Sequence, residues 1–477
     1  MPLILPGNVA TATASTTYNV ANSCRFDRGS NPTMSKTQSA GDRDKWTFSC
    51  WFKLGATYGT IRYILGAKTD GTNYVTIEMD ATDKLRFGVL IGGSYDSFKK
   101  SNRVFKDTSA WTHLVCVYDS ENGTAGHRQR VYINGVEETS WASDNTTTQN
   151  QDSAVNDSNS SLIVGNLDGE SAWWDGYLAE VCLVDGSALA PTSFGEFDED
   201  SPNIWKPIDV SGLSFGTNGF YLDFEASGNL GNDANGGTDL TEANIAATDQ
   251  STDTPTLNYP TLSPLVLGSH ATLTQGNLHL NGNTASDSGA CYATIPFPKS
   301  GKWYIEEKMT DAVGQFPQSG IQNDAETSAF QSNLNNSTGI PSKTNGSSIN
   351  CSGNIMVDGS SAHSISAITD GQIKQFAIDM DNGAVYFGLN NTWYNSGDPE
   401  SGASRTGAID TWTAGTREST VYGTVAYNGS DSETNFGSPS YANSSDAADA
   451  DGSGAFEYAP PSGYFALNSK NIGEYGG

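Results

Sequence analysis

IDMDNGAVYFGLNNTW, residues 378–393, can be read in two ways, and the choice decides the class of fold. Asp379, Asp381 and Asn382 either open an oxygen-rich calcium loop or form the polar bend of a β-hairpin. A calcium loop of the EF-hand kind needs side-chain oxygens at its first, third and fifth positions, Gly at the sixth and Glu at the twelfth. Counted from Asp379, the fifth, sixth and twelfth places hold Gly383, Ala384 and Asn390. The metal loop fails there. As a hairpin the stretch is consistent. Phe376, Ile378 and Met380 alternate with polar neighbours, and Asn382-Gly383 supplies the two φ > 0 residues of a type I′ turn. Val385, Tyr386 and Phe387 then return as a β-rich strand.

The same pattern recurs along the chain. KWTFSCWFKL (45–54) sets Trp46, Phe48, Cys50 and Phe52 on one face against Thr47, Ser49, Trp51 and Lys53 on the other. KLRFGVLI (84–91) alternates in the same way through Leu85, Phe87, Val89 and Ile91. WTHLVCVYD (111–119), RQRVYINGVEE (128–138) with a second hairpin bend at Asn134-Gly135, SLIVGN (161–166) and GYLAEVCLVDG (176–186) follow. Short strands at this spacing predict an all-β sandwich or jelly roll. The 52 glycines fit many turns.

Length and charge bound the rest. At 477 residues the chain exceeds one ordinary core, given about 150 residues per domain. We read residues 1–17 as a core-less arm, 18–215 as a first sandwich, 216–262 as a long polar connector and 263–477 as a second sandwich. Phe220, Tyr221, Leu222 and Phe224 are the connector residues able to pack on a domain. Asp and Glu number 54 against 25 Lys and Arg, a formal charge of -29, which repels nucleic-acid phosphates and anionic membranes. No segment reaches the roughly 18 apolar residues of a membrane span. MPLILPGN has no basic residue before its short apolar run, so no secretory signal is expected. Cys24, Cys50, Cys116, Cys182, Cys291 and Cys351 lie far apart without a CxxC pair, so six reduced thiols are expected rather than a zinc site or a disulfide framework.

Two resemblances follow from these phrases. KWTFSCWFKL, YILGAKTDGTNYVTIEMD, AWTHLVCVYDSENG, RVYINGVEE and SLIVGNLDGESAWWDGYLAEVCLVDGSALAP, in that order, resemble the LamG-like (concanavalin A-like) jelly roll. GKWYIEEKM (301–309), GQIKQFAIDMDNGAVYFGLNNTWYNSGDP, TNFGSPSY and FEYAPPSGYFALN resemble the successive strands of a SPRY domain. Gln372 stands where that family usually has Asp, and Asn391 where it has Gly. The two units in one chain, with the phrase GFYLDFEASGNLGND between them, resemble bacteriophage virion surface proteins of the tail-fibre or capsid-decoration type. That resemblance implies a protein made in the host bacterial cytoplasm and carried on the virion surface. Its implied partners are other virion proteins and a host-surface glycan or receptor. Self-association is left open.

The candidate chemistry is recognition rather than catalysis. GEFDEDSP (195–202) puts Glu196, Asp198 and Asp200 on one face if extended, the nearest approach to a glycosidase carboxylate set. Gly195 and Pro202 bracket it, however, and it reads as an acidic loop. Glu306 and Glu307 face opposite ways on a strand. Five histidines without a nucleophile elbow support no catalytic triad. No cofactor is expected and no metal motif is present, although the jelly-roll resemblance leaves room for a structural calcium ion near Asp119, Asp168 or Asp175.

Sugar rings stack on Trp and Tyr while polar rim groups take up their hydroxyls. Trp173, Trp174 and Asp175 in one loop, and Trp393, Tyr394 and Asn395 in another, are therefore the candidate ligand residues, with one aromatic of each pair expected in the core. Leu3, Ile4, Leu5 and Tyr18 are the candidate anchor of the arm to a neighbouring virion chain. The reading is a non-enzymatic recognition protein. Its alternatives are a glycan depolymerase on the same fold and a structural adaptor gripping another virion protein.

Overall fold

In the computed structural model, which describes residues 18–56, 58–283, 288–312, 317–323, 345–417 and 419–477, KWTFSCWFKL forms a single strand, Lys45–Leu54. Trp46, Phe48, Cys50 and Phe52 enter one core with Leu85, Phe87 and Val89, as the alternation requires. Two antiparallel sheets enclose that core. Sheet I runs in the order Val136–Glu137, Gln129–Ile133, Thr112–Asp119, Lys45–Leu54, Gly176–Asp185, Ser23–Phe26, Gln250–Ser251, with Phe220–Leu222 also paired to Gly176–Asp185. Sheet II runs Trp141–Asn145, Ser94–Val104, Lys84–Ile91, Asn73–Met79, Arg62–Asp70, Ser161–Val164, Thr33–Thr37, Thr241–Ala243. All six cysteines are free and buried.

The second face of sheet I is buried too. Phe194, Val210, Phe215 and Tyr221 pack on Val115, Val117, Cys182 and Val184, and Trp205 joins Trp51, Trp111 and Tyr177 in a further cluster. Polar groups on this face therefore need internal partners. Lys53 Nζ lies 2.6 Å from Asp253 Oδ2, and Trp111 Nε1 donates to Asp253 Oδ1 at 3.0 Å. Trp205 Nε1 donates to His113 Nδ1 at 2.9 Å, so the ring proton sits on Nε2 and points at Ser49 Oγ, 2.9 Å away. Burial lowers His113 to about 3 and keeps it neutral. With its one basic nitrogen occupied by Trp205, His113 cannot take the Ser49 proton, so the contact is no nucleophile–base pair.

At a bulge in Gly176–Asp185, Glu180 adopts φ +50° and accepts hydrogen bonds from Tyr18 Oη at 2.9 Å and Tyr221 Oη at 2.9 Å. Burial raises its carboxyl to about 7. The hydroxyl of Tyr18, one of the candidate anchor residues, is engaged inside its own unit. Leu3, Ile4 and Leu5 lie outside the described residues.

The connector expected over 216–262 is corrected by the packing. The chain divides into two compact units that meet between Thr256 and Leu257. Phe220, Leu222, Phe224, Leu230 and Leu240 enter the first core, and Thr241–Ala243 and Gln250–Ser251 add edge strands to sheets II and I. Tyr259 and Leu262 belong to the second unit. The stretch looked polar because most of its side chains serve local turns, as where Asp233 and Asp239 accept backbone N–H groups of Tyr221, Asn235 and Asp233.

The second unit also pairs two sheets. Sheet III runs Leu262–Leu267, Ser288–Ala293, Thr420–Tyr427, Gln318–Asn323, Gly346–Asn350, Asn354–Val357, Ser360–Ser364. Sheet IV runs Ala271–Thr274, His279–Gly282, Asp431–Asn435, Lys302–Asp311, Ile373–Asp379, Ala384–Leu389, Thr392–Trp393. Glu307 and Glu306 do face opposite ways. Glu307 accepts from Lys374 Nζ at 2.9 Å, Thr424 Oγ1 at 2.6 Å and Ser432 Oγ at 2.9 Å, while Glu306 accepts from the backbone N–H groups of Glu457 and Tyr458.

The hairpin expected over residues 376–387 is present, with a different turn. Asp379 pairs with Ala384, so the loop spans Met380 to Gly383, and only Gly383, at φ +66°, is left-handed there. Asp379 accepts from both the backbone N–H and the side-chain amide of Asn382, which holds that residue out of the left-handed region. The type I′ expectation fails at Asn382. At Asn134-Gly135 both residues have positive φ, and Ile133 pairs with Val136 across the expected two-residue bend.

Asp253→Ala removes the carboxylate that offsets the burial of the Lys53 amine inside the first unit. It is expected to destabilise that unit by about 3–5 kcal/mol, read as a lowered urea midpoint for its transition. A loss below about 1 kcal/mol would show that residues 216–256 are not part of that cooperative unit.

Candidate functional site

The expected ligand residues are separated by the fold. Trp174 is 0% exposed and meets Phe52 edge-on at 5.8 Å, so it is core. Asp175 is buried beside it, and its carbonyl accepts from Gly55 N at 3.0 Å. Of these three candidates, Trp173 alone stays half-exposed. In the second unit Trp393 packs against a cluster with Tyr304, Tyr386 and Phe456, Tyr394 is half-buried, and Asn395 is exposed with its side chain turned to the Gly407 and Ala408 carbonyls at 3.4 Å. These contacts make Trp393 a loop anchor rather than a free platform. A nearby open groove of about 580 Å³ is lined by Asp381, Arg405 and Trp412, and the Arg417 guanidinium sits 4.5 Å over the Trp412 ring.

The outer face of sheet II brings together groups that the sequence reading passed over. The four strands from Arg62 to Val104 form a meander, and the residues pointing away from the core include Tyr63, Tyr74, Glu78, Arg86, Tyr95 and Phe98. Gly88 makes room among them. A Cβ there would come within 2.8 Å of Tyr95 Cε1, so the missing side chain lets the Tyr95 ring lie against the sheet. Tyr95 is 36% exposed, with its ring 4.7 Å from Phe98. Arg86 binds the group together: it pairs with Glu78 at 2.7 Å, donates to Tyr95 Oη at 3.3 Å and lies 4.8 Å over the Phe98 ring. Burial and the Tyr95 hydroxyl raise Tyr74 to about 12, so it stays a neutral donor. The result is a half-exposed aromatic surface edged by fixed hydrogen-bonding groups.

Glu78 lies on this face of strand Asn73–Met79, and Asp80 follows two residues on, just past the strand's end. Burial raises Glu78 to about 7 against the pull of Arg86. Asp80 is raised by burial, but bonds from Lys100 and Thr82 outweigh this and hold it at about 2. Such a split can mark an acid and a base. Both carboxyls are nevertheless buried and engaged, Glu78 by Arg86 and Asp80 by Lys100 at 2.5 Å and the backbone N–H groups of Thr82 and Lys84. The acidic phrase at 195–202 likewise serves structure: Asp198 accepts from Asp200 N, Ser201 N and Lys206 Nζ. Among the described residues no group of three or more His, Cys, Asp or Glu side chains is placed to hold a metal ion. Among the same residues no helix is long and apolar enough to cross a membrane.

Trp174→Ala is expected to cost the first unit about 3–5 kcal/mol, and Trp173→Ala under about 1 kcal/mol, both read from denaturation midpoints. Equal losses would contradict their placement. Glu78 keeps its proton in the folded chain up to about 7, whereas an unfolded glutamate releases it near pH 4.3. Between those values the folded state binds more protons, so stability is expected to fall as pH rises from about 4.5 to about 7. Glu180 acts in the same direction. Glu78→Gln should therefore flatten part of that slope in denaturation series, and a slope unchanged by the substitution would rule Glu78 out as a source.

Residues 28–192 match the family described as the concanavalin A-like lectin/glucanases superfamily. No curated protein matches the chain in sequence. Similar solved structures include a candidate carbohydrate-binding protein of Bacteroides ovatus, 16% identical, covering 47% of this chain and 58% of that one at TM-score 0.32. A pentraxin of Limulus polyphemus is 16% identical over 36% of this chain and 80% of that one, TM-score 0.25. The SPRY domain of human HERC1 is 12% identical over 36% of this chain and 96% of the domain, TM-score 0.27. The stretch 28–192 thus carries a concanavalin A-like jelly roll within an all-β chain.

Proposed function

We propose that this protein is a non-enzymatic glycan-recognition protein displayed on a virion surface, and that the outer face of sheet II in its first unit is the contact surface. The observation that carries the reading is the Tyr95 ring seated over Gly88 and locked to Phe98 by Arg86. A flat, half-exposed ring held in place loses little freedom on stacking with a sugar, and Arg86 and the Tyr74 hydroxyl lie alongside to bond its hydroxyls. The lectin/glucanase family match over 28–192 supports a carbohydrate ligand. The virion setting rests on the resemblance of the chain's two tandem units to phage surface proteins, with residues 1–17 as the proposed attachment segment.

The Glu78–Asp80 pair motivates a second reading, a glycan depolymerase. Its weakness is that each carboxyl already has a cation within 2.7 Å and almost no exposed surface.

Gly88→Ala is expected to push the Tyr95 ring off the sheet at little cost in stability, because the atom it displaces ends a side chain that can swing outward. Together with Tyr95→Ala, it should weaken binding to host-cell polysaccharide by about tenfold or more, measured by surface plasmon resonance with unchanged melting temperature. Unaltered binding in both variants would remove this face from the function. Release of reducing ends that Glu78→Gln abolishes would establish the depolymerase. A glycan array without hits, beside tight binding to a purified capsid or tail protein, would favour an adaptor.

A further inference from the structure

Inside the first unit a lysine amine and an aspartate carboxyl are held in contact away from water. Lys53 Nζ lies 2.6 Å from Asp253 Oδ2, and the two side chains are 0% and 2% exposed. The amine sits 6.0 Å from the Tyr177 ring, and Trp111, whose indole bonds Asp253, clusters with Trp51, Tyr177 and Trp205. Asp253 is fixed through its backbone as well. Its N–H donates to Ser251 Oγ at 3.1 Å and its carbonyl accepts from Ser23 Oγ at 2.6 Å. Nζ is thus farther from the carboxyl carbon than from Oδ2 by at most one C–O bond length, the close and fixed approach that attack requires.

The buried pair of the second unit is of a different kind. Burial would raise the Glu307 carboxyl, but Lys374, Ser319 and Thr424 outweigh it and hold the group below its ordinary value. Burial would lower the Lys374 amine, but Cys351 and Glu307 outweigh it and hold it above its own. Both partners there are kept charged. At Lys53 burial dominates and pulls the amine below its ordinary value, against the charge of Asp253. Passing its proton to Oδ2 leaves an amine facing a carboxylic acid, and a dry site tolerates two neutral groups better than two ions. The neutral amine is also the nucleophilic form.

We propose that Lys53 and Asp253 condense to an intramolecular isopeptide bond, a self-made cross-link between the central strand of sheet I and the segment that returns over it. The Nζ lone pair attacks Cγ, a C–N bond forms and the Cγ–Oδ2 bond breaks. Of the three protons of the original ammonium, two leave with Oδ2 as water and one stays on the amide nitrogen. No oxidant or second reactant is needed. Oδ1, which accepts from Trp111 Nε1 at 3.0 Å, becomes the amide oxygen, and that N–H stabilises the charge Oδ1 carries in the tetrahedral intermediate.

The test is mass spectrometry of the denatured full chain. The unmodified protein is expected to weigh one water less than its sequence requires, and proteolysis to release a branched peptide joining Lys53 to Asp253. Lys53→Arg, which keeps a cation and removes the nucleophile, and Asp253→Ala are each expected to show the full mass. The decisive measurement is made on the unmodified chain, so the folding of either variant does not bear on it. The proposal is overturned if the unmodified chain carries its full sequence mass, if the branched peptide is absent, or if the missing water maps elsewhere, Lys374 and Glu307 included.

Discussion

An ammonium group taken out of water must find a carboxylate, and in this protein Lys53 finds one 200 residues away, at Asp253. Both side chains are almost wholly buried, so neither could be left alone without a penalty of several kcal/mol. The pairing requires the chain to come back across sheet I after the jelly-roll strands are complete. The returning segment brings Phe194, Phe215, Tyr221 and Trp205 with it and closes the second face of that sheet. Sheet I thereby becomes an interior layer. Sheet II is then the sheet whose outer face carries the half-exposed aromatics Tyr74, Tyr95 and Phe98.

The second unit follows the same principle with other residues. Glu307 and Lys374, opposite one another on neighbouring strands of sheet IV, form a buried ion pair, and hydroxyls from Thr424, Ser432 and Ser319 take up the remaining capacity of the carboxylate. A buried charge satisfied on every side fixes the register of these two strands, because shifting either by one residue would send Glu307 or Lys374 to the opposite face. On the far side of sheet IV, Tyr259, Phe456 and Tyr464 cover Tyr304 and Tyr386. Trp393 packs against the same cluster.

The outer face of sheet II is shaped by a side chain that the sequence leaves out. Gly88 omits a side chain in the middle of a sheet, and the neighbouring Tyr95 fills the space from outside while keeping one side of its ring toward solvent. The ring is held flat against the sheet and keeps its position through Phe98 and Arg86.

Strand period, hairpin positions and the all-β class were legible in the sequence, because alternation is imposed by the backbone and shows wherever one face of a strand is apolar. KWTFSCWFKL announced its inner face in this way. The choice of Trp173 and Trp174 as a pair rested on composition, and alternation predicts that one of two adjacent rings turns inward; the structure shows that it is Trp174. What local sequence could not convey was which polar segments would be covered. Residues 216–256 look like a linker because turn residues outnumber apolar ones, yet five apolar side chains at Phe220, Leu222, Phe224, Leu230 and Leu240 suffice to seat them once sheet I offers a surface. The tyrosine face likewise draws its members from four strands. Burial and proximity across strands are properties of the packed chain, so the sequence alone determined the strands and their inner faces, and only tertiary structure decided which outer face stayed open and what stands on it.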